Sequence, residues 1–136
     1  MKKYLLILLA SLLWNCDSDS PNNNNAFIPN YSFSTVIDLS LPTYNSLTFT
    51  GNGKIIQGGA RGVIVFNTGS GFTAFDAACP NQALSACSTM TVSGINAICS
   101  CDNAKYSLFT GQSPGQQYPM KPYRVEVNGT IIRVYN

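Results

Sequence analysis

Arg124-Val125-Glu126-Val127-Asn128-Gly129-Thr130-Ile131-Ile132-Arg133-Val134-Tyr135 decides the fold class of this chain. Arg124 to Val127 alternates charged and apolar side chains, the period of a strand with one face buried. Asn128-Gly129 then falls between two β-rich runs and is the strongest short-range hairpin signal available. Upstream, turn-forming residues recur every eight to twelve residues back to Tyr31. They separate short runs at Ser34–Leu39, Ser46–Thr50, Lys54–Gln57, Gly62–Asn67 and Phe72–Asp76, then at Met90–Val92, Ile95–Ser100 and Ala104–Phe109. Val63-Ile64-Val65-Phe66 is continuously apolar, as a strand buried on both faces requires. Gly51-Asn52-Gly53 marks a further turn. Gly58-Gly59 also reads as a turn, since no helix follows to supply an anion-binding terminus. No helix-period segment longer than one or two turns appears beyond the N-terminal region. The predicted fold is all-β, built from many short antiparallel strands.

The N-terminus sets the expected compartment. Met1-Lys2-Lys3 is basic, and Tyr4 to Trp14 is an almost unbroken apolar stretch. It is too short to cross a bilayer core of roughly 30 Å, which takes about 20 residues, and reads as a secretory signal over residues 1–15. The stretch runs into Leu13-Trp14-Asn15-Cys16, which resembles a bacterial lipobox, in which the signal is cut before a cysteine that then carries the lipid. The alternative is a cleaved signal followed by an incidental cysteine. The position of Cys16, closing the apolar core just before a polar run, favours lipidation. Residues 17–30 (DSDSPNNNNAFIPN) hold little apolar mass, so residues 16–30 are predicted to be the lipidated cysteine and a flexible tether. Asp17 and Asp19 resemble the acidic export tags on surface lipoproteins of Bacteroidetes-type bacteria, although linker solvation accounts for them equally well. Residues 31–136 form the expected β-domain.

Charge excludes some partners. Removing Lys2 and Lys3 leaves six Lys and Arg against six Asp and Glu, so the processed chain is near neutral. Its cations, Lys54, Arg61, Lys105, Lys121, Arg124 and Arg133, are scattered, with no basic footprint for nucleic acid. The chain contains no histidine. A Ser-His-Asp or Cys-His site is therefore impossible, and Asp38, Asp76, Asp102 and Glu126 show no spacing that pairs them as acid and base. No enzymatic activity is expected.

Four cysteines remain, Cys79, Cys87, Cys99 and Cys101, on two loops separated by a short hairpin. An even count in an exported domain argues for disulfides. Of the three possible pairings, the one joining Cys99 to Cys101 across a single residue would strain the bridge badly. Both remaining pairings tie the two loops together. Zinc held by all four thiolates is a rival, but Cys-x-Cys is tighter than the usual ligand spacing. A thiol–disulfide reagent is another, and it lacks a Cys-x-x-Cys at a helix start.

Ala74-Phe75-Asp76-Ala77-Ala78-Cys79-Pro80-Asn81 resembles the first cluster-binding loop of Rieske iron–sulfur domains. Cys99-Ser100-Cys101-Asp102-Asn103-Ala104-Lys105-Tyr106-Ser107-Leu108-Phe109-Thr110-Gly111 resembles the second. Pro119 to Val127 is similar to the closing strand of that family. The resemblance spans roughly Ser46 to Val134 and implies a Rieske-like antiparallel β-sandwich with a two-loop cysteine subdomain. Rieske centres hold one iron by two thiolates and the other by two histidines. Here the histidine positions fall on Asn81 and Asp102, so a normal centre is excluded by composition. In the respiratory-type branch an extra cysteine on each loop forms a bracing disulfide, and Cys101 and Cys87 resemble that pair. Cys79 and Cys99 then occupy the thiolate positions. The resemblance thus implies Cys87–Cys101 and Cys79–Cys99 bridges, with no metal and no cofactor. The alternative is an electron-transfer protein with a [2Fe–2S] cluster on Cys79 and Cys99, unusually completed by other cysteines or Asp102. The expected role is a non-catalytic binding or accessory subunit of the cell envelope. It would be held to the membrane, most simply the outer membrane, by its lipid, with an envelope protein complex as partner.

Overall fold

The computed structural model describes residues 25–136; residues 1–24, with the signal, Cys16, Asp17 and Asp19, lie outside the described residues. The described chain is all-β. Its nine strands are β1 (Ser34–Asp38), β2 (Gly53–Ile56), β3 (Val63–Asn67), β4 (Phe72–Asp76), β5 (Met90–Ser93), β6 (Asn96–Cys99), β7 (Lys105–Ser107), β8 (Arg124–Asn128) and β9 (Ile131–Tyr135). They form three antiparallel sheets of three strands, ordered β1-β9-β8, β2-β3-β4 and β5-β6-β7.

The middle sheet explains why Val63 to Phe66 is apolar without interruption. Successive side chains of a strand point to opposite faces. Val63 and Val65 enter a core shared with Ile37, Leu47, Ile132 and Val134, which come largely from the first sheet. Ile64 and Phe66 enter a second core with Met90, Ala97, Tyr106 and Leu108 of the cysteine-bearing third sheet. Both faces of β3 are therefore dry, and every residue of the strand is buried. Each such side chain contributes about 1.5–3 kcal/mol on burial. The long loops that carry the cysteines hang from a scaffold anchored on this strand.

Three sequence expectations need correction. Ser46–Thr50 is not a strand: Asn45–Thr48 forms a 3-10 turn. Leu47 plugs the first core, and side-chain amides capture the turn's carbonyls, with Asn52 Nδ2 donating to Ser46 O and Asn67 Nδ2 to Leu47 O. Those bonds replace a sheet ladder. The last hairpin is also centred one residue later than the Asn-Gly signal suggests. Asn128 still pairs with Ile131, and Gly129 takes the left-handed conformation (φ 61°) at the first central position of the turn. A glycine there is what a type II′ turn requires.

The third correction concerns the tether. Its last residues, Asn25 to Asn30, pack on the domain. Asn25 Oδ1 accepts from Phe27 N at 2.8 Å and Ile28 N at 3.2 Å, while Asn25 Nδ2 donates to Pro80 O at 2.9 Å. Phe27 meets the Tyr118 ring edge-on, and Ile28 is only 2% exposed. Lys121, also 2% exposed, donates Nζ to Pro29 O and to Asn30 Oδ1. Burial pushes its ammonium below the usual lysine range, and the Asp76 carboxylate pulls the other way. The composition of this stretch is that of a linker, but Asn25 and Phe27 find partners on the first cysteine loop and on the segment before β8, and Ile28 is buried. Ile28→Ala should therefore lower the unfolding free energy in urea by about 2–5 kcal/mol. A solvated tether residue would change it by no more than roughly 0.5 kcal/mol.

Candidate functional site

The site begins at Asp76, the last residue of β4, which is fully buried. A carboxylate removed from water must be met by donors, and four reach it. Oδ2 accepts from Ala60 N at 2.6 Å and from Tyr123 Oη at 2.6 Å. Oδ1 accepts from Ala78 N at 2.8 Å and from Arg61 N at 3.3 Å. Burial first, then the bond to Asp76 and its charge, push the Tyr123 phenol far above its ordinary range, so that it remains a donor. These bonds fix the chain direction into Ala77-Ala78-Cys79.

The first cysteine loop is closed on itself. Cys79 N donates to Ser88 O at 2.8 Å, and Ala78 bridges to Thr89. Inside the loop, Ser85 N donates to Ser88 Oγ and Ser88 Oγ donates back to Ser85 O. The second loop turns immediately after β6. Cys99 N donates to Ala104 O and Asn103 N to Cys99 O, with Asn103 in the left-handed conformation (φ 59°). Asparagine tolerates that region better than most side chains.

Between the loops the structure joins Cys79 to Cys99, with Cα atoms 5.6 Å apart, and Cys87 to Cys101, with Cα atoms 5.0 Å apart. Both separations fall in the ordinary range for a disulfide. The two bridges differ in exposure. Cys79 and Cys99 are fully buried in the second core, whereas Cys101 is half-buried and Cys87 exposed. Ser85 Oγ lies 3.4 Å from Cys87 Sγ and 3.8 Å from Cys101 Sγ, at the rim. The sulfurs of Cys79, Cys99 and Cys101 all lie within 4.8 Å of one another.

Asn81 and Asp102, the two remaining ligand positions of a Rieske centre, are committed elsewhere. Asn81 Nδ2 donates to Tyr106 Oη at 2.9 Å and to Tyr118 O at 2.8 Å, while its Oδ1 accepts from Tyr118 N at 2.9 Å. Asp102 Oδ1 accepts from Ala104 N at 3.0 Å, and Oδ2 from Gln82 Nε2 at 3.0 Å. Tyr106 is fully buried, and burial pushes its phenol up, with the Asn81 bond acting against and the Asp102 charge adding. The donor set therefore does not fit a Rieske cluster. Two of its sulfurs are bonded to each other, and an amide and a carboxylate, both already hydrogen-bonded, stand where two imidazoles are needed.

The sequence reading did not anticipate Tyr118, Lys121, Ser85 or the donors around Asp76. Asn81 occupied a recognised position, but nothing local marked it as a brace for Tyr118, which lies in a loop far along the chain.

No family model matches the chain. No curated protein sequence matches it either. Solved structures similar to it include the ferredoxin of carbazole 1,9a-dioxygenase from Nocardioides aromaticivorans IC177, at 18% identity and TM-score 0.47, covering 74% of this chain and 96% of that one. A chain from the complex of reduced oxygenase and oxidized ferredoxin in carbazole 1,9a-dioxygenase is 22% identical, with TM-score 0.46, covering 63% and 82%. The small subunit of a putative nitrite reductase NADPH oxidoreductase is 17% identical, with TM-score 0.48, covering 75% and 97%.

Asn81→Ala would orphan the Tyr106 hydroxyl and both backbone groups of Tyr118. It should lower stability by about 1–3 kcal/mol and accelerate hydrogen exchange at the Tyr118 amide. Unchanged protection of that amide would contradict the bracing role.

Proposed function

We propose that this chain is an exported lipoprotein, anchored through Cys16 to the outer membrane. Its Rieske-like domain is stapled by disulfides in place of a cluster and serves as a non-catalytic binding or accessory subunit of an envelope assembly. One observation carries the reading: all four positions that would ligate a cluster are already used, Cys79 with Cys99 in a bridge, and Asn81 and Asp102 in hydrogen bonds within the domain. In the chain-entropy model, a bridge closing a loop of about 15 residues stabilises by on the order of 3 kcal/mol. A second bridge closing nearly the same loop adds less. Two bridges thus give the loops the rigidity that a metal centre would otherwise supply, and an oxidising compartment maintains them.

Export is supported by Met1-Lys2-Lys3 and the short apolar stretch ending at Cys16, together with an even number of cysteines beyond it. A non-catalytic role is supported by the lack of histidine, which removes the commonest general base. A binding role is supported by the rigidity of the loops, since loops held on a firm scaffold are the usual carriers of recognition.

Native intact mass spectrometry of the full chain, purified from an exporting host without added metal, tests the reading. The expected mass is lower than that of the fully reduced chain by two hydrogens per bridge, with no iron or sulfide. Added mass for two irons and two sulfides would overturn it and make electron transfer the function.

A further inference from the structure

Away from the cysteine loops, an open groove of ≈ 940 Å³ runs beside β2, lined by Thr43, Tyr44, Lys54, Gln57, Arg61 and Thr89 among others. No residue lining it is acidic. Two of the domain's cations therefore face one hollow, and among the described residues the ion pair, Arg133 with Glu126, lies elsewhere.

The loop that presents Arg61 is built with little freedom. Gly58, Gly59 and Gly62 all hold positive φ, at 136°, 60° and 94°. A Cβ on Gly58 would come within 2.6 Å of the Phe33 ring, and one on Gly59 within 2.3 Å of Asp76 Oδ2. Neither position accepts a side chain. The backbone N–H groups of Ala60 and Arg61 are fastened to the buried Asp76 carboxylate. Outside, Arg61 Nη2 donates to Ser85 O at 3.1 Å, which ties the guanidinium to the first cysteine loop. Its Nε is buried and has no partner within the domain. The result is a guanidinium held in place from both ends and paired with no carboxylate. Lys54 lines the same hollow, its ammonium over the Tyr44 ring at 5.9 Å from the centre.

We propose that this groove binds an acidic saccharide chain, with Arg61 and Lys54 meeting carboxylate or sulfate groups. The ligand class follows from three features. The hollow is open and bordered by three separate stretches of the chain, so it accommodates an extended ligand more readily than a single ion. Two cations without a carboxylate in the lining select negative charge, and a guanidinium presents a planar fork suited to an oxyanion. Hydroxyls of Thr43 and Thr89 and the amide of Gln57 supply hydrogen-bonding groups along an open floor, which suits a hydroxyl-rich chain more than an apolar molecule. The inference gives the binding role proposed above a site and a ligand class, and it rests on that reading.

The test is calorimetric titration of the purified full chain in detergent, at low and at physiological salt. The probes are an oligogalacturonate, a neutral oligosaccharide of the same length, and oligoglutamate. The expected result is oligogalacturonate binding that is at least tenfold tighter than neutral-sugar binding and weakens with salt. Arg61→Gln and Lys54→Gln should each weaken it at least tenfold, while Lys105→Gln and Arg124→Gln leave it unchanged. Lys54→Gln is the safeguard should the Arg61 variant fold poorly, because the Lys54 head makes no hydrogen bond that the fold requires. Equal weakening by all four variants would mean diffuse charge attraction and overturn the proposal. Oligoglutamate binding as tightly as the saccharide would overturn the ligand class. If no probe binds while the chain still co-purifies with envelope proteins, the groove assignment falls and the accessory role stands.

Discussion

The buried carboxylate of Asp76 is the constraint on which the rest of this domain depends. A side chain with two buried oxygens and no water must collect donors, and the groups that answer come from three separate parts of the chain: Ala60 and Arg61 of the glycine loop, Ala78 before the first cysteine, and Tyr123 before β8. Each sheet contributes to or borders this junction. Removing the carboxylate would strand several buried polar groups at once, each carrying its own desolvation cost. The same junction aims Cys79 toward Cys99 and Arg61 toward the groove, so one interaction positions both the staple and the proposed binding site.

The two cysteine loops form a frame that is joined covalently. The frame needs two loops held face to face. Here that work is divided among two disulfides and the hydrogen bonds of Asn81 and Asp102. The Asn81 amide both donates and accepts, and so clamps both backbone groups of Tyr118. The N-terminal segment adds to the same end of the molecule, where Asn25 holds Pro80 and Phe27 covers Tyr118. The cysteine loops are thereby buttressed on two sides.

Much of the fold was legible in the sequence because its signals are local. The unbroken apolar run of β3 is read directly from strand periodicity, and so is the strand at Arg124 to Asn128, but not its burial: Val125 is half-buried and Val127 is exposed, so β8 lacks the dry face that its alternation implies. The 3-10 turn at Asn45–Thr48 was not legible, since Leu47 is apolar in any conformation and the bonds from Asn52 and Asn67 are tertiary. The packing of Asn25 to Asn30 escaped for a similar reason: an Asn-rich stretch looks solvated until Pro80, Tyr118 and Lys121 are placed beside it. At the site, the lack of histidine was plain from composition alone. The donors around Asp76 and the brace on Tyr118 were not, because they join residues distant in the chain.

The central claim is that two specific bridges stand in place of a metal centre. Proteolytic mapping of the exported full chain under non-reducing conditions, with free thiols blocked at lysis, tests it most directly. The account predicts peptides joining Cys79 to Cys99 and Cys87 to Cys101, with none of the four cysteines recovered as a blocked free thiol. Peptides joining Cys79 to Cys101, or recovery of Cys79 and Cys99 as free thiols, would contradict it.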